Sequence, residues 1–241
     1  MSLEGKLVLI TWAARRIGRV IALAIARAGG IPLIHHGHSP LEAEATLAEV
    51  KNIGITGYIL QADLEDPEQA ITLVKTASRL GQLYALINNA AIFEPLTWKS
   101  TSLAAWNRHI NINLTSPFFI SQEFARNIPQ TENGRIINIL DWRALRPGPD
   151  HLPYTISKAA LAALTRSLAS ALAPNIIVNG LAFGAILPPS DRSNLTKILD
   201  VVPANRWADM NEVEQAILFL LEGPAYITGE ILHLDGGRHL V

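Results

Sequence analysis

Short apolar runs alternate with amphipathic stretches from one end of the chain to the other. The runs predict buried strands, and the apolar periodicity between them predicts helices. Predicted strands are 7–10, 31–34, 57–61, 83–87, 135–140, 176–178 and 230–234. Strands rich in Val, Ile and Leu that are separated by helices indicate a parallel sheet covered on both faces. The sequence therefore predicts an α/β fold, doubly wound around a parallel sheet of seven strands.

The stretches between the strands are long enough for helices. Predicted helices are 17–28, 41–52, 67–80, 102–128, 154–172 and 211–221, with a bend in the fourth near Pro117. No repeat, low-complexity tract or linker divides the chain, so we expect residues 1–241 to form a single domain. Residues 183–206 are irregular and too long for an ordinary connection, which makes them a candidate substrate lid with a hinge at Gly184 and Ala185.

The charge balance excludes two classes of partner. The chain has 20 Lys and Arg against 21 Asp and Glu, so we expect no surface for nucleic acid or for an anionic membrane. No stretch approaches the ~20 apolar residues of a membrane span. The chain lacks cysteine, which excludes disulfides, and its first residues lack the pattern of a secretory signal, so we expect a cytoplasmic protein.

The turn after the first predicted strand is the natural place for a nucleotide. In a parallel sheet, ligands bind beyond the carboxyl ends of the strands, with a phosphate at the N-terminus of the first helix. Residues 11–18 read Thr-Trp-Ala-Ala-Arg-Arg-Ile-Gly, so only Gly18 remains of the three glycines that such a turn usually has. Taken alone, this turn favours an ordinary strand–helix connection.

Motifs elsewhere in the chain change this interpretation. Asp63 and Leu64 follow the third strand, Asn88-Asn89-Ala90-Ala91 follows the fourth, and Asp235-Gly236-Gly237 follows the last. Tyr154 and Lys158 form a Tyr-x-x-x-Lys pair, with Asn113 upstream. In this order the motifs resemble the short-chain dehydrogenase/reductase family over essentially the whole chain, which implies a Rossmann-like domain. The cofactor-binding residues that the resemblance implies are Thr11, Arg15, Arg16, Ile17, Gly18, His38, Ser39, Asp63, Leu64, Asn89, Ala90, Ala91, Tyr154, Lys158, Gly184 and Ile186.

Three details are most similar to the pteridine reductase branch of that family. The nucleotide turn carries Arg16, Asp141 replaces the wider family's catalytic Ser thirteen residues before Tyr154, and Phe93 follows the Asn-Asn-Ala turn. The resemblance implies that Arg16, Phe93, Asp141 and Tyr154 contact a dihydropterin, dihydromonapterin or dihydrofolate. It also implies a homotetramer.

The four catalytic candidates are Tyr154, Lys158, Asp141 and Asn113. Tyr154 and Lys158 are four residues apart on one helix face, where the Lys ammonium would lower the pKa of the phenol and make Tyr154 a proton donor. Asp141 could bind a pterin nitrogen or relay a proton to Tyr154, and Asn113 would bind a water that feeds Lys158. In the plainer alternative, Asn113 bonds only neighbouring backbone.

The segment after the second strand bears on the choice of cofactor. NAD enzymes place a carboxylate on the ribose about 20 residues after the glycine turn, whereas NADP requires cationic or neutral donors. No acidic residue occurs there before Glu42, and His38, Ser39 and Arg15 could bind a 2′-phosphate, so NADPH is the expected cofactor. The clustered histidines have no carboxylate in the same turn to complete a metal site, and we expect no metal.

Trp12 departs from the branch, which has glycine at this position. The indole could crowd the adenosine side of the cofactor, turn to solvent, or stack on the adenine. Three functions stay open. They are an NADPH-dependent pteridine reductase, a reductase of another carbonyl such as a 3-ketoacyl thioester, and, because of Trp12, a non-catalytic NADP-binding scaffold.

Overall fold

A seven-stranded parallel sheet forms the centre of the molecule, in the order β3-β2-β1-β4-β5-β6-β7. The computed structural model describes residues 2–188 and 198–241. The strands are β1 (Leu7–Ile10), β2 (Ile31–His36), β3 (Tyr58–Gln61), β4 (Leu83–Asn88), β5 (Gly134–Asp141), β6 (Ile176–Phe183) and β7 (Ile231–Leu234). The order reverses beside β1, as expected of a doubly wound sheet, so the predicted fold class is confirmed.

Helices cover both faces of the sheet. They are α1 (Arg16–Arg27), α2 (Pro40–Asn52), α3 (Pro67–Ser78), α4 (Leu103–Ile110), α5 (Ser116–Asn127), α6 (Leu152–Leu172) and α7 (Met210–Glu222). Alternate strand residues point to opposite faces. Val8 and Ile10 therefore pack with α1, α2 and α7, whereas Leu9 packs with α3, α5 and α6. Both faces of the strands are buried, which explains why their sequences are continuously apolar.

The predicted helix 102–128 consists of three parts. A π-helical turn, Asn111–Thr115, separates α4 from α5, and Pro117 lies in the first turn of α5. Proline has no N–H for the helical ladder, which fits its place at the start of a new helix. The predicted bend is therefore a π-helical turn directly before Pro117.

The predicted lid begins too early. β6 continues past Val178 to Phe183, which pairs with Asp141 of β5 and with Leu234 of β7, so Phe183 belongs to the sheet. The predicted end of the strand at Val178 was wrong because Asn179 and Gly180 interrupt the apolar run. Asn179 is accommodated in the strand because its side chain bonds the backbone of Ile227 and Glu230. Residues 189–197 of the candidate lid lie outside the described residues.

None of the helices that the structure describes is long and apolar enough to cross a bilayer. The carboxyl ends of β1, β4, β5 and β6 meet at one edge of the sheet, and the loops that follow these strands gather there.

Candidate active site

Two adjoining cavities lie along the carboxyl edge of the sheet. The larger one, of about 590 Å³, extends from the end of β1 to the end of β2. The smaller one, of about 300 Å³, lies over the ends of β5 and β6. Both are lined by Arg16, Ile17, Asn89 and Ala91, so they form one continuous groove. The larger cavity also holds Arg15, Gly18, His38 and Ser39, and the smaller one Phe93, Asp141, Tyr154, Lys158, Gly184 and Ile186.

The turn between β1 and α1 approaches the sheet closely. A Cβ added to Gly18 would lie 2.2 Å from the Trp12 carbonyl oxygen and 2.8 Å from Cα of Ala13, so only glycine fits. α1 has no side-chain cap and no acidic residue in its first turn. Its first N–H groups and the positive end of its dipole therefore suit an anion such as a diphosphate.

His35 holds this turn in place from beneath. The N–H of Trp12 donates to Nδ1 of His35 at 3.1 Å, and Nε2 of His35 lies 3.0 Å from the carbonyl oxygen of Ala62. Both bonds are satisfied by a neutral imidazole that carries its proton on Nε2. Burial lowers the pKa of His35 to about 4, which keeps the ring neutral. Among the described residues, no group of three or more His, Asp or Glu could hold a metal.

Trp12 itself has left-handed backbone, with φ at +51°, and its indole lines the larger cavity. The ring also packs against the core on the α3 side of the sheet, and its Nε1 lies 3.7 Å from the position of a Cβ added to Gly37. The indole is therefore half-buried between the ends of β1 and β2 rather than swung out to solvent.

Four predicted cofactor residues, Thr11, Asp63, Leu64 and Ala90, are not among the described residues that line the two cavities. The buried Oγ1 of Thr11 accepts the N–H groups of Asn89 and Ala90, each at 2.9 Å. The carbonyl of Leu64 accepts from Ser116 Oγ at 2.6 Å, and the Asp63 carboxylate accepts from the Glu65 N–H at 3.0 Å. The described lining of the two cavities includes neither Asp63 nor Leu64. Thr11 and Ala90 thus shape the floor of the groove, while contact of Asp63 and Leu64 with a cofactor stays a prediction.

The predicted 2′-phosphate end lies at the far wall of the larger cavity. His38, Ser39 and Arg15 line it together, and their binding of a 2′-phosphate stays a prediction. Glu42 also lines this wall and lies 3.9 Å from a guanidinium nitrogen of Arg15. A guanidinium, an imidazole and a hydroxyl therefore share the wall with a single carboxylate, which Arg15 partly neutralises.

Tyr154 and Asp141 meet in the smaller cavity. The hydroxyl of Tyr154, in the first turn of α6, donates to Oδ2 of Asp141, the last residue of β5, at 3.1 Å. Burial, and then the Asp141 charge, raise the pKa of Tyr154 well above its ordinary value. Burial also raises the pKa of Asp141, although the Arg143 N–H and guanidinium lower it. The pair therefore holds protons that an exposed phenol and carboxyl would lose more readily.

Lys158 is aimed differently from the prediction. Its Nζ donates to the carbonyl oxygen of Ile139 at 2.6 Å and lies 5.9 Å from the ring centroid of Tyr154. Burial lowers the pKa of Lys158 to about 8, against an opposing effect of Asp141. The expected lowering of the Tyr154 pKa is therefore absent in this structure, because burial and the adjacent Asp141 raise it against the opposing effect of Arg143.

Asn113 lies in the π-helical turn and is fully buried. Its amide accepts the Ile92 N–H at 2.9 Å, and it donates to the Ile92 carbonyl and to Oγ of Ser157, each at 3.0 Å. The side chain thus joins the loop after β4 to α6. Its predicted role in holding a water for Lys158 stays a prediction.

An aromatic group borders the smaller cavity. Phe93 is about half exposed, at 51%, and its ring contacts Tyr154 edge-on at 4.7 Å. His151 stacks flat on Phe93 at 3.9 Å, and Arg143 lies near both the ring and Asp141. The sequence pattern does not indicate His151 or Arg143 as site residues. Both residues follow Asp141 closely in the sequence, which places them near the site. The sequence pattern does not show, however, in which direction their side chains point.

Residues 13–239 match a family model described as enoyl-(acyl carrier protein) reductase. The chain is a short-chain dehydrogenase/reductase. This short-chain reductase is 30% identical to the 3-oxoacyl-[acyl-carrier-protein] reductase of Synechocystis sp., over 98% of both chains. The predicted family and its oxidoreductase class are therefore confirmed.

Solved structures resemble the short-chain reductase over nearly its full length. FolM alternative dihydrofolate reductase 1 from Brucella canis, complexed with NADP, is 35% identical with a TM-score of 0.92, covering 100% of this chain and 97% of the other. A blue fluorescent protein from a metagenomic library, complexed with NADPH, is 31% identical with a TM-score of 0.92, covering 99% of each chain. The FolM likeness supports the branch predicted from Arg16, Asp141 and Phe93.

Proposed function

We propose that this protein is an NADPH-dependent reductase of a pteridine, such as a dihydropterin, dihydromonapterin or dihydrofolate. The observation that carries the proposal is the hydrogen bond from Tyr154 to Asp141 beside the half-exposed ring of Phe93. A hydroxyl, a carboxyl and an aromatic face are thus available to one flat, nitrogen-rich ring.

The groove fits NADPH by its own features. The close approach at Gly18 and the uncapped start of α1 suit a diphosphate, and the wall at Arg15, His38 and Ser39 suits a 2′-phosphate. Lys158 and Ile186, over the ends of β5 and β6, border the end of the groove where the nicotinamide would lie. Bound NADPH would supply the hydride. The solved relatives that contain NADP or NADPH support the same cofactor.

The residues of this chain supply the proton. Reduction of a C=N bond requires a proton on nitrogen, and Tyr154 holds one through neutral pH because its pKa is raised. Asp141 accepts the hydrogen bond of Tyr154, and its raised pKa favours uptake of a proton from solvent, which it can then pass to the phenolate. Lys158, fixed by the Ile139 carbonyl, places a cationic group against the same helix face.

Phe93 would present its exposed ring to the pteridine, with Arg16 on the other side of the groove. Arg16 lines both cavities and donates to the carbonyl oxygen of Pro188 at 3.3 Å, so it spans the groove where cofactor and substrate meet. Homotetrameric assembly and a cytoplasmic location stay predictions of the sequence.

The test follows NADPH oxidation with dihydrobiopterin, dihydromonapterin and dihydrofolate, beside an acetoacetyl thioester. Tyr154→Phe should lower kcat for the pteridine by about 10²- to 10⁴-fold. Tyr84→Phe is the matched control, because its hydroxyl bonds the Leu221 carbonyl away from the groove. Pteridine turnover that survives in Tyr154→Phe would remove Tyr154 as the proton donor.

A second candidate function is reduction of a 3-ketoacyl thioester. The curated relatives favour it, since those at about 30% identity are 3-oxoacyl-[acyl-carrier-protein] reductases. Turnover of the thioester alone would establish this alternative. Tight NADPH binding without any turnover would instead indicate a non-catalytic scaffold.

A further inference from the structure

One face of the Phe93 ring is covered by an imidazole. His151 stacks on it, with the ring centroids 3.9 Å apart and the ring planes inclined by only 5°. Tyr154 contacts the same ring edge-on, at 4.7 Å. Phe93 nevertheless stays 51% exposed, so its second face is open.

The imidazole lies behind Phe93 as seen from the smaller cavity. The described residues that line this cavity include Phe93 and Tyr154 but not His151. The open face of Phe93 is therefore the one turned to the cavity, and His151 covers the opposite face. A flat ring bound in the cavity would become the third layer of a stack that begins with His151.

The backbone of His151 is fixed on both sides. The residue directly precedes α6, and its carbonyl oxygen accepts the Thr155 N–H of the first helical turn at 2.9 Å. The next residue, Leu152, donates its N–H to the carbonyl oxygen of Leu96 at 2.7 Å. Leu96 lies in the same loop as Phe93, which has neither helix nor strand. These bonds join the start of α6 to that loop and so bring the imidazole and the phenyl ring together.

His151 holds this place with a left-handed backbone, at φ +50°. Few residues other than glycine adopt this conformation, and asparagine, aspartate and histidine adopt it most readily. Strain of this kind is concentrated at functional sites. Nδ1 of His151 also lies 3.1 Å from Oδ2 of Asp150, but the Asp150 side chain is half exposed. Because exposed contacts between such groups contribute little, the backbone rather than Asp150 directs the imidazole onto Phe93.

We propose that His151 is a positioning residue, which holds the ring of Phe93 in the orientation that receives a pteridine on its open face. The inference rests on the proposed function, because it assigns His151 a role in binding that substrate. A half-exposed ring on an irregular loop would otherwise sample several orientations. Restricting a binding group to its bound orientation before the ligand arrives increases affinity.

The test measures equilibrium binding of folate and biopterin by calorimetry, in the presence of NADP⁺ so that no hydride can be transferred. His151→Asn removes the flat ring and suits the left-handed backbone, whereas His151→Phe keeps a flat ring on Phe93. His239→Asn is the matched control. Its imidazole also stacks on a ring, that of His233 at 4.1 Å, and its Nδ1 also lies near a carboxylate oxygen, that of Asp235 at 2.8 Å. The described lining of the two cavities does not include His239.

His151→Asn should weaken the binding of both pteridines by about fivefold. His151→Phe and His239→Asn should stay within about twofold of the wild type. NADP⁺ affinity should be the same in all four proteins, which separates a role at the pteridine from a general loss of structure.

A second background shows whether His151 acts through Phe93. In Phe93→Leu, the further change His151→Asn should weaken pteridine binding by less than about twofold, because the ring that His151 holds is absent. Equal losses in the two backgrounds, or no loss in His151→Asn, would overturn the proposal and leave the proposed function intact. If the wild type binds NADP⁺ but neither pteridine, the proposed function fails, and the positioning role fails with it.

Discussion

The hydroxyl of Tyr154 donates to Oδ2 of Asp141 at 3.1 Å, although the two residues lie on different elements, α6 and β5. Burial raises the pKa of both groups, and the charge of Asp141 raises that of Tyr154 further. Neither group gives up its proton as readily as it would in water. The pair is therefore suited to donating one proton to a bound ring and then taking up another from solvent.

Asp141→Asn tests the carboxyl of this pair. The amide keeps the shape but cannot return a proton, so kcat for a pteridine should fall by about 10²-fold or more. Loss of the negative charge should also lower the pKa of Tyr154, which a pH profile of the remaining activity would register as an earlier alkaline limb. Asp150→Asn is the control, because Asp150 pairs with Arg143 but is half exposed. Full pteridine turnover in Asp141→Asn would make Asp141 an incidental replacement.

Lys158 should give the cofactor-free protein a pH-dependent stability. Its pKa is about 8 in the folded protein, against an ordinary value of 10.5. Between these values the unfolded chain binds a proton that the folded protein lacks, so the Lys158 contribution to the free energy of unfolding rises with pH. Below pH 8 the folded protein bears the full cost of burying the ammonium. The expected gain from pH 7 to pH 9 is about 1 kcal/mol.

Urea unfolding of the wild type and of Lys158→Met, both without NADPH, measures this gain. Groups other than Lys158 titrate in both proteins, so their contributions cancel in the difference between the two free energies of unfolding. The wild type should become more stable relative to Lys158→Met as the pH rises. A constant difference across the range would mean that Lys158 is not destabilised by its burial.

The positions of the strands, and the closeness of the catalytic residues in space, could be predicted from sequence because both follow from short-range patterns. Buried strands are continuously apolar, and parallel strands bring the residues after their carboxyl ends to one edge. Together with the family resemblance, this pattern predicts that Asp141 and Tyr154 lie close together, and the two residues are in contact.

The directions of polar side chains could not be predicted in the same way. Lys158 bonds Ile139 of β5, and Asn113 bonds Ile92 in the loop after β4. His35 bridges Trp12 and Ala62 across three strand ends. Each of these contacts depends on how distant elements pack, which residue spacing along one helix or strand does not specify.

Two substitutions separate the effect of the strained backbone at Trp12 on stability from the effect of its indole. Trp12→Ala removes the ring but keeps an L residue at φ +51°, whereas Trp12→Gly removes both the ring and the strain. Since a left-handed L residue costs about 1–2 kcal/mol, Trp12→Gly should be more stable than Trp12→Ala by about 1 kcal/mol. Chemical denaturation measures the difference. Equal stability would show that the turn relaxes in the alanine variant.

NADPH affinity of the same two variants decides what the indole does. An indole that stacks on the adenine predicts weaker binding in both variants, and one that crowds the cofactor predicts tighter binding in both. A change in Trp12→Gly alone would assign the effect to the backbone.

Thr11 provides the most direct test of how the groove floor is built. Its hydroxyl accepts two N–H groups, from Asn89 and Ala90, and is almost fully buried. Thr11→Val keeps the shape but leaves the Ala90 N–H without its acceptor and the Asn89 N–H with only the Ile87 carbonyl, at 3.0 Å, which should cost about 2 kcal/mol in the free energy of unfolding. Because Asn89 lines both cavities, NADPH affinity should fall as well.

Two control variants make the Thr11 result interpretable. Thr11→Ser keeps the hydroxyl and should stay close to the wild type in NADPH affinity. Thr46→Val also removes a buried hydroxyl, but Thr46 only donates to the Ala14 carbonyl at 2.9 Å, so its loss takes one hydrogen bond from one acceptor. Its destabilisation should therefore be smaller than that of Thr11→Val. If the two valine variants lose equal stability, the two N–H groups find other partners, and the Thr11 hydroxyl does not hold the floor of the groove.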